Sequence, residues 1–265
     1  MPSLKKYAPH GLAAGKTPAD TVDAVQSGDL VVPPFGGPAA GLPPIFDPMA
    51  LTIFRDDFYR LEEDGTDVGG WAQNDIGNGL SAGPALGTIE YAPGIVTITT
   101  ASVATGDGSH FQWDVEWAAL ATTRPCWFAA RIYYTLYKSD VHVRIGIGED
   151  TANPFSSDPK GIYFVIGESV DGTVGTIVKD ASGTTETAAT GSSVEVNTWH
   201  EIAWRYDKSS VRFYLDRTLI DTVTTNIPTG EELAPFFAAI THTGASAKAL
   251  SLDYIQLVTT RHDNV

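Results

Sequence analysis

Asp114 and Glu116 are the best spaced residues in the chain for carboxylate chemistry. They lie in Gln112-Trp113-Asp114-Val115-Glu116-Trp117. Alternate residues of a strand share a face, so the two acids would stand side by side, as an acid and a nucleophile must to flank one glycosidic bond. Trp113 and Trp117 fall on the opposite face. The same pattern also describes a solvated acidic face behind a tryptophan-bearing one. The six histidines, at 10, 110, 142, 200, 242 and 262, form neither His-x-His nor His-x-x-x-His, which argues against a zinc site. Cys126 is the only cysteine. It allows no internal disulfide, and between Pro125 and Trp127 it reads as a small buried hydrophobe. Gly77-Asn78-Gly79 and Gly106-Asp107-Gly108 do not open helices, so they read as turns rather than phosphate cradles.

The elements that must position these residues are strands. The chain has 265 residues, 43% hydrophobic and 18% charged, with 26 glycines and 16 prolines. That composition excludes coiled-coil, collagen-like and fully disordered chains. A net charge of -15 makes nucleic acid and anionic lipid surfaces poor partners. No signal-peptide core and no apolar run of about 18 residues is found, so a soluble protein made in a reducing cytoplasm is expected. Val141 to Ile147 alternates strictly, with Val141, Val143, Ile145 and Ile147 on one face and His142 and Arg144 on the other. Further strands are expected from Phe54 to Phe58 and around Ile89–Tyr91, Ile95–Thr99, His110–Trp117, Cys126–Tyr137 and Ile162–Ile166. Others follow around Val174–Lys179, Thr184–Thr187, Trp199–Tyr206, Val211–Leu215, Thr218–Val223, Pro235–Ile240 and Leu250–Thr259. About twelve short strands with frequent turn signals predict an all-β, antiparallel sandwich of jelly-roll type over residues 51–265.

Residues 1–50 differ. Nine of the 16 prolines fall there, and proline excludes helix interiors and central strands. One short helix could start at Thr17-Pro18 and stop at Gly28. The rest reads as an extended Pro/Gly-rich arm carrying apolar anchors at Leu30, Phe35, Leu42, Ile45 and Phe46, of the kind that orders against a partner.

Three local patterns resemble the concanavalin A-like lectin/glucanase jelly rolls of laminin-G and pentraxin kind. They are Phe54-Arg55-Asp56-Asp57-Phe58 leading to Gly70-Trp71; Trp199-His200-Glu201-Ile202 followed by Val211 to Asp216; and Leu250 to Leu257. At the family's Asp-Gly turn this chain has Asp216-Arg217. The resemblance covers roughly residues 51–260. It implies a jelly roll in which His200 is structural. Glucanases of the family use an order like Glu-x-Asp-x-x-Glu, and Asp114 and Glu116 have no third carboxylate at Ala118 or Ala119, so no enzyme is expected. Lectins of the family often bind calcium through loop acids and amides. Asp64-Gly65-Thr66-Asp67, Asn74-Asp75 and Asp150-Thr151-Ala152-Asn153 are the loops that could do so, but Asx-rich turns arise for backbone reasons too, and no cofactor is expected. Trp71 and Trp113 are the candidate sugar-stacking residues.

Such domains behind a short arm resemble surface proteins of tailed bacteriophages. This implies a structural virion protein: a capsid decoration or cement protein, or a head fibre. Its arm would dock on the major capsid protein or another virion subunit, and it would form a homo-oligomer, trimer or dimer. The alternative expectation is a carbohydrate-binding module of a fibre or receptor-binding protein, contacting a surface glycan.

Overall fold

A computed structural model describes residues 51–56, 67–68, 71–77, 90–92, 95–99, 106–113, 124–134, 141–168, 172–241 and 249–260. The arm (residues 1–50), the pair Asp114 and Glu116, and Trp117 lie outside the described residues.

The described residues form sixteen strands and no helix. In chain order these are β1 (Leu51–Asp56), β2 (Asp67–Val68), β3 (Trp71–Ile76), β4 (Glu90–Ala92), β5 (Ile95–Thr99), β6 (Gly108–Trp113), β7 (Cys126–Tyr134) and β8 (Val141–Gly148). They continue with β9 (Gly161–Ile166), β10 (Thr173–Lys179), β11 (Thr184–Ser193), β12 (Trp199–Tyr206), β13 (Val211–Leu215), β14 (Thr218–Val223), β15 (Ala234–Thr241) and β16 (Ala249–Thr260). Two antiparallel sheets of eight strands face each other. Sheet A runs β14-β13-β12-β7-β16-β5-β4, with β1 also paired to β16; sheet B runs β11-β10-β9-β8-β15-β6-β3-β2. This is the expected antiparallel jelly-roll sandwich. The unexpected strands are β2 and β3.

Alternation sorts the side chains. On β8, Val141, Val143, Ile145 and Ile147 enter the core between the sheets, as their spacing predicts. Phe164 of β9 meets Phe213 of β13 across the sandwich at 5.1 Å, edge to face. Phe111 stacks on Phe237 at 5.1 Å and Phe128 on Trp204 at 5.7 Å. Such pairs are each worth about 0.5–1.5 kcal/mol beyond the area they bury. Cys126 is free and buried, and burial pushes its thiol pKa up, which keeps it protonated and unreactive.

The turns are built from their own residues. Asp180 Oδ1 accepts the N–H groups of Ser182 and Gly183. Asp207 Oδ1 accepts those of Ser209 and Ser210. Asp216 and Arg217 both have positive φ, 48° and 68°, the hairpin geometry that glycine adopts most easily. The Asp216 carboxylate holds this turn to β12: Oδ1 accepts the Glu201 N–H at 2.9 Å, and Oδ2 lies 2.7 Å from His200 Nδ1. On its other side His200 Nε2 lies 2.8 Å from the Glu195 nitrogen and 3.2 Å from the Glu195 carbonyl oxygen, so the ring bridges the β13–β14 turn and the segment before β12. His200 is therefore structural.

Candidate functional site: the outer face of sheet B

The strands of sheet B also present side chains away from the core, and two rows run across this face. Gln112, Phe236, Gly146, Tyr163, Ile177 and Glu186 stand in register on β6, β15, β8, β9, β10 and β11. The next row is His110, Ala238, Arg144 and Val165. Each row has a small residue where large neighbours close over it. Tyr163 and Phe236 meet at 5.4 Å across Gly146, where a Cβ would lie 2.6 Å from that of Tyr163 and 2.3 Å from the Ile162 carbonyl oxygen. Tyr163, Val165, Ile177 and Phe236 form an apolar cluster separate from the core.

Arg144 organises this face. It is only 6% exposed. Nε and Nη2 donate to the two Glu168 oxygens at 2.6 and 2.9 Å; Nη1 donates to Asp158 Oδ1 at 2.6 Å and to the Pro154 carbonyl at 2.5 Å. The guanidinium also lies over the rings of Phe155 and Tyr163. Burial works against its charge, but Glu168 and Asp158 outweigh burial and hold it protonated.

These contacts fasten residues 149–160 over the sheet. Gln112 Nε2 donates to the carbonyls of Gly148 and Glu149, and its Oε1 accepts the Thr151 N–H. Lys160 pairs with Glu149 at 3.4 Å and Glu231 at 3.1 Å, and Lys179 Nζ donates to the Asp158 carbonyl. His110 is fully buried beneath this layer, edge-on to Phe236 at 5.7 Å. Burial pushes its imidazole pKa down to about 4, so it is neutral at pH 7.

The expected site residues fare differently. Trp71 is corrected from a sugar platform to a core residue. It is 1% exposed, ringed by Phe54, Trp113 and Phe237, and its indole N–H donates to Asp56 at 2.8 Å. It has no open ring face on which a sugar could stack. Trp113 is half-buried against the same core, 4.8 Å from Phe54. In the loop Asp150–Asn153, Asn153 Oδ1 accepts the Phe155 N–H at 2.9 Å. Among the described residues no three His, Cys, Asp or Glu side chains gather as a metal site. Sequence reading missed the Arg144, Glu168 and Asp158 cluster. Its one signal was an arginine on the outward side of a strictly alternating strand.

The body has the jelly-roll fold shared by concanavalin A-like lectins and glucanases. Residues 128–249, a little under half of the chain, match the Laminin_G_3 family of the concanavalin A-like lectin/glucanases superfamily. No curated protein matches. Among solved structures, the chain is similar to an endo-1,3-beta-glucanase from Streptomyces sioyaensis: 15% identity, 79% of this chain and 96% of that chain, TM-score 0.52. It is also similar to the Emp46p carbohydrate recognition domain: 8% identity, 80% and 100% coverage, TM-score 0.52. A third similar structure is the CBM2 module of the evolved Dit of Lactobacillus casei BL23 phage J-1: 12% identity, 82% and 99% coverage, TM-score 0.52. At such identities the likeness is one of fold. The expectation that the chain is not an enzyme is nevertheless overturned. Several more of these similar structures are glucanases, including a glycoside hydrolase family 16 endo-glucanase from Bacteroides ovatus and a Bacillus licheniformis beta-glucanase. The architecture is therefore one that glycoside hydrolases use.

Proposed function

We propose that this chain is a surface component of a tailed-bacteriophage virion, a capsid decoration or cement protein whose jelly-roll body is carried by residues 1–50. The observation that carries the reading is the sealed outer face of sheet B. Arg144, Gln112, Lys160 and Lys179 fix residues 149–160 over it, which suits a rigid displayed body. The proline-rich arm with anchors at Leu30, Phe35, Leu42, Ile45 and Phe46 supports attachment, since proline lowers the entropy an extended segment loses on docking. Likeness to a module of a phage Dit protein supports the setting. A second reading, a carbohydrate-binding module of a phage fibre or receptor-binding protein, is favoured by likeness to the Emp46p carbohydrate recognition domain.

Co-sedimentation of the full-length chain with purified phage particles tests the proposal. The wild-type chain should pellet with particles, and a chain with all five anchors changed to serine should stay in the supernatant. Binding to a glycan array, with no co-sedimentation, would put the second reading first.

A further inference from the structure

Strands β8 and β9 form a hairpin whose ladder runs to its end. Gly148 pairs with Gly161, and the Glu149 N–H donates to the Lys160 carbonyl at 2.9 Å. At such a point a turn of about two residues closes most hairpins. Here residues 150–159 intervene, and they fold back over the outer face of sheet B with Pro154 and Pro159 buried. Compact loops longer than a connection needs are usually lids or binding loops. Beneath this strap lie two buried aromatic rings, Tyr163 and Phe236, 5.4 Å apart. Gln112 shares their row, and Arg144 stands in the next. The strap engages the polar groups of this face as a ligand would. Gln112 donates to the Glu149 carbonyl at 3.1 Å and accepts the Thr151 N–H at 3.3 Å. Arg144 donates to the Pro154 carbonyl, and its guanidinium lies 5.2 Å from the Phe155 ring centroid. Arg144 also has a partner outside the strap, since both Glu168 oxygens accept from it. Its charge therefore stays paired when the strap is gone.

We propose that residues 150–159 are a built-in block on a saccharide-binding face: they fill the place of a bound oligosaccharide, and the face takes one only when they leave it. The chemistry beneath the strap selects this ligand class. Tyr163 and Phe236 offer aromatic surface to the C–H side of a sugar ring. Arg144, Glu168 and Gln112 offer paired donors and acceptors to its hydroxyls. An occupant joined to the chain competes at an effective concentration of about mM, so the wild-type face stays closed to a free oligosaccharide. The strap is not needed to join β8 to β9, because the ladder already brings Glu149 and Lys160 together. The inference rests on the carbohydrate-binding reading given second above, and it names the face and the control that act in it.

The test shortens the strap in the full-length chain. Asp150–Pro159 is replaced by Asn-Gly, the pair that a two-residue hairpin turn favours, and circular dichroism checks that the β body is kept. Wild type, the shortened chain and the shortened chain with Tyr163→Ala are applied to an array of neutral and acidic oligosaccharides, and the hits are titrated by calorimetry. The shortened chain should bind at least one oligosaccharide about tenfold or more tightly than wild type does, and Tyr163→Ala should remove the gain. If the shortened chain does not fold, a protease site inserted between the exposed Ser156 and Ser157 and cut after folding loosens the strap instead, with the same gain expected. No gain in a folded form overturns the proposal. Equal binding by wild type and the shortened chain also overturns it, but leaves the carbohydrate reading standing at another place on the chain. Absence of binding by every form removes that reading as well. Particle co-sedimentation is read separately, so neither failure bears on the virion reading.

Discussion

His110 and Arg144 flank Ala238 on the same face of sheet B, and burial treats them in opposite ways. Burial lowers the His110 pKa to about 4, against a smaller opposing contact with the Thr151 backbone. The unfolded chain takes up this proton near pH 6.5 and the folded chain only near 4. Stability is therefore lost as pH drops through that interval and levels off below it. Measured by denaturant unfolding, wild type should lose about 3 kcal/mol more between pH 7.5 and 4 than His110→Leu does; parallel curves would show that His110 does not titrate there. Arg144 is held charged by Glu168 and Asp158. Arg144→Met leaves both acids without their partner and should cost about 3 kcal/mol. Arg144→Lys should recover only a minor part, because an ammonium cannot reproduce the bidentate contact with Glu168. Equal stability of wild type and Arg144→Met in guanidinium would contradict the clamp.

At the scale of elements, the β13–β14 turn carries a non-glycine pair in the left-handed region. Arg217→Gly should raise stability by about 0.5–1 kcal/mol, since Arg217 itself is exposed and its contact with Glu201, at 3.8 Å, is long; an unchanged or lower melting temperature would contradict this. Gly146→Ala should cost about 2–3 kcal/mol, because a Cβ there meets the β9 backbone. Much of this level was legible in the sequence. The alternation of Val141 to Ile147 gave β8 with the correct inward face, and Asp180, Asp207 and Asp216 marked their turns. Other parts were not. Trp71-Ala72-Gln73-Asn74-Asp75-Ile76 forms β3, although Asn74 and Asp75 read locally as turn residues; pairing with β6 overrides that preference. The bulge of β11 near Gly191 comes from its register with β10. The cover over sheet B was invisible because Arg144 meets Pro154, Asp158 and Glu168 10–24 residues away, and only strand order brings them together. Trp71 was misplaced for a related reason, as local pattern does not say which side of a strand faces the core.

At the scale of the whole molecule, sheets A and B enclose one core, and each also carries an apolar cluster on its outer side. Residues 149–160 are fastened over the outer side of sheet B by Arg144, Gln112 and Lys179. A net charge of -15 sets the whole molecule against polyanionic surfaces such as nucleic acid. The most direct measurement is quantitative mass spectrometry of phage particles purified from cells expressing either the wild-type chain or the variant with serine at positions 30, 35, 42, 45 and 46. Wild type should be present in a fixed ratio to the major capsid protein. The variant should be lost from particles, although circular dichroism shows its β body folded. Particles that lack the wild-type chain, or that keep the serine variant at the same ratio, would contradict it.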